Sequence, residues 1–191
     1  DGTKFVKTAG GSVWLDPEMT SPYAFFQFWL NSDDKDVINF LKVFSFKSHA
    51  EITELEKSHN ENPGLREAHR ALARELTSLV HSEETTQRVE AAARALFGQG
   101  ELAELDEATL ASALAELPRT TVSATEEIPT WVDLLAATGV VDSKSAARRI
   151  VKEGGAYLNN EKISGEDFRP SKSDFLCGKY AVLRKGKRDL A

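Results

Sequence analysis

Apolar positions recur with the period of an α-helix across residues 22–117. One stripe belongs to a helix predicted to start near Asp34 and comprises Val37, Ile38, Leu41 and Phe44. Ser48 followed by Glu51 has the spacing of a capping box, so the next helix is predicted to begin there. Further helices are predicted to end near His81 and to start at Asp106. The pattern therefore indicates an α-helical bundle of five or six short helices.

The pattern changes after residue 117. Residues 118–129 are rich in Thr and Glu, have no apolar period and are predicted to form a linker. Residues 130–191 then favour a small α+β domain, because two short helices with Thr130 and Ser143 as N-caps precede strand-like runs. The predicted strands are residues 156–158, 162–163 and 180–185, with Asn159-Asn160 as the turn between the first two.

Composition supports a folded chain: of its 191 residues, 41% are hydrophobic. The absence of an apolar run of about 18–20 residues and of a signal peptide leads us to expect a cytoplasmic protein without a membrane partner. The single cysteine, Cys177, excludes an internal disulfide framework and is predicted to be a small core residue. The aromatic run at residues 23–29 is predicted to pack in a core or at a domain junction, with stacking on RNA bases as the alternative.

Charge is divided unevenly along the chain. The formal net charge is −6, but residues 1–125 hold 12 basic and 20 acidic side chains, whereas residues 126–191 hold 12 basic and 10 acidic ones. The helical part is therefore acidic, at −8, and the rest of the chain is mildly basic, at +2. An acidic average does not exclude a nucleic-acid site in the second part.

The predicted helix that follows Ser143 concentrates basic side chains. Lys144, Arg148 and Lys152 are spaced four residues apart and share one helix face, and Arg149 stands beside them. A second basic cluster, which consists of Arg184, Lys185, Lys187 and Arg188, is predicted to follow the last strand. Two such clusters favour binding to a phosphate backbone, since affinity there comes largely from neutralising phosphates. A solvated helix face with a charged tail is the alternative.

A second candidate site lies near the start of the chain, where Lys4, Lys7 and Thr8 precede Ala9-Gly10-Gly11. Such a flexible cationic loop could close over a polyphosphate and stabilise charge on leaving pyrophosphate, although it could also be an ordinary solvated terminus. The four histidines have no partners at metal-ligand spacing, so no metal site is predicted.

Several segments resemble, in order, the bacterial tyrosyl-tRNA synthetases. Residues 4–8, Lys-Phe-Val-Lys-Thr, are similar to the second class I signature, Lys-Met-Ser-Lys-Ser. Residues 14–29, 79–84 and 95–98 resemble stretches that lead into and belong to the helical anticodon-binding domain. Residues 143–159 resemble the S-four-type RNA-binding domain at the C-terminus of these enzymes.

The resemblance implies a domain order and a function. It implies residues 1–21 as signature loop and end of the catalytic domain, 22–117 as anticodon-binding domain, 118–129 as linker and 130–191 as S-four-type domain. The implied whole protein is a tyrosine–tRNA ligase, a homodimer that activates tyrosine with ATP, accompanied by Mg²⁺, and transfers it to tRNA(Tyr); DNA is not an expected partner.

The resemblance also implies roles for individual residues. Lys4, Lys7 and Thr8 would contact ATP phosphates during formation of tyrosyl-adenylate. The implied contacts to the tRNA backbone are Ser143, Lys144, Arg148, Arg149 and Lys152, to which the basic clustering adds Arg184 and Lys185. The loop at residues 31–34 is a further candidate for contact near the anticodon.

Two departures separate the chain from the family pattern. Val6 stands where the family has Gly or Ser, and the first, His-rich class I signature is absent from these residues. The chain also begins with Asp1 rather than Met. We therefore expect a piece of a longer ligase that is inactive by itself. The alternatives are a stand-alone RNA-binding module without ligase activity and a helical protein-interaction scaffold.

Overall fold

The chain forms helices over most of its length and a small antiparallel sheet near its end. The computed structural model describes residues 12–96, 100–115, 117–123, 127–186 and 189–191. In these residues the helices are α1 Pro22–Leu30, α2 Val37–Phe44, α3 His49–Glu61, α4 Glu67–His81, α5 Glu83–Leu96, α6 Glu107–Leu114, α7 Trp131–Thr138 and α8 Lys144–Lys152. The strands are β1 Ala156–Leu158, β2 Glu161–Lys162, β3 Leu183–Lys185 and β4 Asp189–Leu190. The predicted combination of a helical part and a small α+β part is confirmed.

The chain divides between Glu90 and Ala91 into two compact units. In the first, α1 and α2 pack against α4 around a core of aromatic and aliphatic side chains. Phe25, Phe26 and Trp29 are all buried there, so the prediction that the aromatic run packs in a core is confirmed.

None of the helices in the described residues has the length and apolar content needed to span a bilayer.

Local signals determine where these helices begin. Ser48 caps α3: its Oγ accepts a hydrogen bond from the Glu51 backbone N–H at 3.3 Å, and Glu51 Oε2 accepts one from the Ser48 N–H at 2.8 Å. The predicted capping box is therefore confirmed. Asp106 likewise caps α6 by accepting from the Thr109 N–H at 2.9 Å.

Apolar periodicity was a weaker guide to burial at helix ends. Phe44, the last residue of α2, remains 40% exposed although it belongs to the predicted stripe. Its ring contacts those of Trp29 and Phe40, with 5.5 and 6.2 Å between centroids, and the rest of its surface is exposed.

In the second unit, α7 and α8 pack on a four-stranded sheet with the order β2-β1-β3-β4. The strands are antiparallel, and Tyr157 on β1 stands opposite Lys162 on β2 and Arg184 on β3. Asn159 and Asn160 form the predicted turn between β1 and β2, with φ of 48° and 71°. These angles match the hairpin turn in which both central residues have positive φ, a conformation that Asn tolerates.

The strands near the C-terminus differ from the prediction. The predicted strand 180–185 is shortened to Leu183–Lys185, because Leu176 and Tyr180 close a separate tight turn by an antiparallel bridge. The predicted strand 162–163 is shifted by one residue, to Glu161–Lys162. A further strand, β4, pairs with β3, and the sequence pattern did not predict it.

Cys177 is exposed and lies in the left-handed region with φ of 50°, so the prediction that it is a core residue is wrong. Its Sγ approaches the Leu105 carbonyl at 3.9 Å, which anchors the turn to the segment before α6 without burying the thiol. Val122 and Ile128, in the predicted linker, pack against the core of the second unit.

Candidate nucleic-acid interface

Helix α8 carries most of the predicted contacts to a phosphate backbone. Ser143 is its N-cap, and the Ser143 Oγ accepts a hydrogen bond from the Ala146 N–H at 3.2 Å. Ala147 and Val151 are buried against the second unit's core, which fixes the rotation of the helix. The opposite, solvent-facing side presents the predicted cations Lys144, Arg148, Arg149 and Lys152, whose side chains are 50–75% exposed. The structure therefore brings the predicted helix residues onto one element.

At the start of the helix, Lys144 is paired with α7. Its Nζ donates to Asp133 Oδ1 at 2.6 Å, and the Thr130 hydroxyl donates to Asp133 Oδ2 at 2.8 Å. These two bonds lower the pKa of Asp133 below its usual value, and the bond from Lys144 has the larger effect. The pair ties α8 to α7 and leaves the Lys144 charge partly compensated.

Farther along the helix, one carboxylate serves two cations. Glu166 Oε1 lies 3.1 Å from Lys152 Nζ, and Glu166 Oε2 lies 3.5 Å from Arg148 Nε. Arg149 is more independent, since its only ion pair in the described residues joins its Nε to Glu153 at 4.0 Å and its side chain is 75% exposed. Arg149 is therefore the cation of α8 most accessible to a ligand.

The second predicted cluster is divided by the sheet. Arg184 and Lys185 lie within β3, inside the predicted strand 180–185 and not after it, and Lys187 and Arg188 lie outside the described residues. Arg184 is only 9% exposed and stacks on the Tyr157 ring, with 4.0 Å between guanidinium carbon and ring centroid. Lys185 is more accessible and pairs with Asp189 at 3.0 Å.

The signature-loop candidates Lys4, Lys7 and Thr8 lie outside the described residues. Their proximity to a nucleotide therefore stays a prediction. No group of three or more His, Cys, Asp or Glu side chains with metal-binding geometry occurs in the described ranges.

The loop at residues 31–34 and the end of α1 are held by side chains that the sequence did not single out: His59 of α3, His69 of α4, and Arg66 just before α4. His69 is fully buried, and its Nε2 lies 3.1 Å from the Ser32 carbonyl oxygen and 3.2 Å from Asp34 Oδ1. Arg66 donates to the Leu30 carbonyl at 2.6 Å, and His59 Nε2 lies 3.0 Å from the Asp34 carbonyl oxygen. Burial, with a smaller contribution from Arg66, lowers the pKa of His69. This network fixes the backbone while the Asp34 side chain stays 58% exposed.

Two family models of tRNA synthetases together match most of the chain. A family model described as tRNA synthetases class I (W and Y) matches residues 1–98. A second model, described as the tyrosine–tRNA ligase SYY-like C-terminal domain, matches residues 109–191.

Curated relatives cover the full chain. Tyrosine–tRNA ligases of Streptomyces avermitilis and Streptomyces coelicolor are each 62% identical over 191 residues, which is 100% of this chain and 44% of the relative. The tyrosine–tRNA ligase of Thermobifida fusca is 56% identical over the same shares of both chains. The chain thus spans less than half the length of these relatives.

Among solved structures, a C-terminally truncated mitochondrial tyrosyl-tRNA synthetase of Aspergillus nidulans matches 45% of this chain and 25% of its own, with 35% identity and a TM-score of 0.44. A match this loose supports no conclusion about the fold.

Proposed function

The chain belongs to the family of class I tRNA synthetases (W and Y), and we propose that it is the tRNA-binding portion of a tyrosine–tRNA ligase. The observation that carries the proposal is the exposed face of α8, where four cations stand on one surface of a helix whose opposite side is buried. A phosphate backbone is the ligand that such a surface suits best, because each cation can neutralise one phosphate and release its counterions. The names of the relatives support tyrosine as the amino acid and tRNA(Tyr) as the RNA.

Within that function we propose separate roles for the two parts of the chain. Residues 22–117 would bind the anticodon region and residues 130–191 would act as the S-four-type domain, joined by the linker 118–129. The α7–α8 pair that precedes a small antiparallel sheet supports the S-four-type assignment. The compact units divide earlier, at Glu90, because the segment around α6 is bonded to the C-terminal part. Asn160 donates to the Ala95 carbonyl at 2.6 Å and Lys179 pairs with Glu107 at 2.5 Å.

The proposed RNA contacts are not equivalent. Lys144, Arg148, Arg149 and Lys152 would contact phosphates directly, with Ser143 fixing the start of their helix. Lys185 is accessible for a further contact, whereas Arg184 would act mainly by ordering the sheet beneath it.

The proposed whole ligase is a cytoplasmic homodimer that joins tyrosine to ATP, releases pyrophosphate and then transfers the tyrosyl group to tRNA(Tyr). In that reaction Lys4, Lys7 and Thr8 would hold the ATP phosphates, to which Mg²⁺ would be bound. We propose that the 191 residues alone do not catalyse this chemistry, since they lack the His-rich signature. An ATP–pyrophosphate exchange assay on this chain is expected to give background turnover; clear turnover would contradict this part of the proposal.

A titration of tRNA(Tyr) at several salt concentrations tests the RNA-binding role. Affinity should fall as salt rises, and replacing Lys144, Arg148 and Arg149 together by Glu should weaken binding by at least about tenfold. The matched control replaces Lys57, Arg119 and Lys172 by Glu. These three exposed cations lie outside α8 and form no ion pair within the described residues. Equal losses in the two triple variants would show that the charge of the whole chain, and not α8, determines binding.

A further inference from the structure

Glu166 stands in the middle of the proposed interface, although its charge is opposite to that of the cations around it. Arg148 and Lys152 are one helical turn apart on α8, and each pairs with a different oxygen of the Glu166 carboxylate. A backbone phosphate offers the same arrangement of two anionic oxygens on one centre. The carboxylate therefore occupies a position that suits a phosphate.

The main chain around Glu166 is anchored rather than loose. Gly165, with φ of 96°, opens a turn in which the Phe168 N–H donates to the Gly165 carbonyl at 3.4 Å. The Phe168 carbonyl accepts a hydrogen bond from the Trp131 N–H at 2.9 Å, and Trp131 is completely buried at the start of α7. Before the turn, the N–H of the buried Ile163 donates to the Ala156 carbonyl at 3.0 Å. Because the chain is bonded on both sides of Glu166, at Ile163 and at Phe168, the fold presents Glu166 to α8.

The ion pairs themselves are weak enough to exchange. The side chains of Arg148 and Lys152 are 50% and 70% exposed, and that of Glu166 is 33% exposed. Exposed ion pairs contribute little stability, so an incoming phosphate can replace the carboxylate at a modest cost. That cost nevertheless has to be met in every complex that uses these two cations.

We propose that Glu166 is an intramolecular competitor of RNA, which holds the place between Arg148 and Lys152 in the free protein and is displaced by a phosphate on binding. This inference rests on the proposed RNA-binding function of α8 and adds a residue that limits its affinity. Such a limit favours release of the RNA, because the carboxylate can return as the phosphate leaves.

The neighbouring Asp167 provides a matched control. It is exposed, it is one residue away from Glu166, and it forms no ion pair in the part of the chain that the structure describes. Glu166→Gln and Asp167→Asn therefore change the net charge equally, but only the first removes the partner of α8.

The test measures the dissociation constant for tRNA(Tyr) for both variants. Glu166→Gln is expected to tighten binding about three- to tenfold more than Asp167→Asn does. In a background of Arg148→Ala and Lys152→Ala, measured at low salt to keep binding detectable, the extra gain should disappear. Thermal unfolding of each variant checks that the fold is retained.

Three results would overturn the inference. Equal effects of the two substitutions would show that only long-range charge matters, and weaker binding by Glu166→Gln would show that the carboxylate orients the cations for RNA. A gain that persists without Arg148 and Lys152 would show that it does not act through them. Failure of the unmodified chain to bind tRNA would instead refute the proposed function. The proposed function and the role of Glu166 are therefore tested separately.

Discussion

The guanidinium carbon of Arg184 lies 4.0 Å from the centroid of the Tyr157 ring on the neighbouring strand. The Arg184 Nη1 also donates to the Gly186 carbonyl at 2.9 Å, which joins the end of β3 to the turn that follows. Arg184 is only 9% exposed, so both interactions form largely away from water, where a cation–π contact is strongest.

Arg184 and Lys185 are therefore predicted to differ in what they do. Arg184→Ala should lower the free energy of unfolding by about 2 kcal/mol, because it removes a desolvated cation–π contact and a hydrogen bond. Lys185→Ala should leave that free energy within about 0.5 kcal/mol and weaken tRNA binding instead. Urea unfolding and tRNA titration of both variants distinguish the two roles. If Arg184→Ala weakened tRNA binding and left the free energy of unfolding unchanged, Arg184 would be a contact to the RNA.

His69 is predicted to make stability depend on pH. Burial lowers its pKa from the ordinary 6.5, with Arg66 and His59 acting in the same direction and Asp34 and the Ser32 carbonyl opposing them. The unfolded chain therefore takes up a proton at a higher pH than the folded chain does. Stability contributed by neutral His69 should be complete above pH 6.5 and decline as the pH falls from there towards the lowered pKa.

Urea unfolding between pH 5 and 8 checks this prediction. His69→Gln, whose amide can still donate to the Ser32 carbonyl, should reduce the decline on acidification. The half-buried His81, whose pKa is also lowered by burial, should account for part of what remains. An unaltered slope for His69→Gln would contradict the assignment.

Sequence reasoning predicted best the features that depend on residues close together in the chain. Ser48 with Glu51, and Ser143 before a basic helix, are complete signals within one helical turn, so α3 and α8 begin where expected. The environment of Arg184 depends on the pairing of β1 with β3, which no local sequence pattern predicts. Glu166 was missed for the same reason: no local pattern predicts that its turn lies beside α8, where it pairs with Arg148 and Lys152, or that Phe168 bonds to Trp131 of α7.

Asn159 is predicted to stabilise the C-terminal sheet through its side chain. Its Nδ2 donates to the Asp174 carbonyl at 2.5 Å, and its Oδ1 accepts from the Val182 N–H at 2.8 Å. Asn159→Gly keeps the positive φ but loses both hydrogen bonds, so it should cost about 2 kcal/mol of unfolding free energy. Asn159→Ala should cost about 1 kcal/mol more, because Ala also disfavours a φ of 48°. Equal losses in urea unfolding would show that the backbone angle is unimportant here.

Ser82, between α4 and α5, is predicted to be a site where a substitution stabilises the protein. Its φ of 94° and ψ of 156° belong to a region that only Gly adopts without strain, at a cost of about 1–3 kcal/mol for other residues. Its Oγ accepts a hydrogen bond from the Thr85 N–H at 3.3 Å, and replacing such a cap by Gly costs only a few tenths of a kcal/mol. Ser82→Gly should therefore raise the free energy of unfolding by about 1 kcal/mol or more. Ser82→Ala keeps the strain and loses the cap, so it should lower the same quantity by about 1 kcal/mol, and a stabilising effect of Ala in urea unfolding would contradict the explanation.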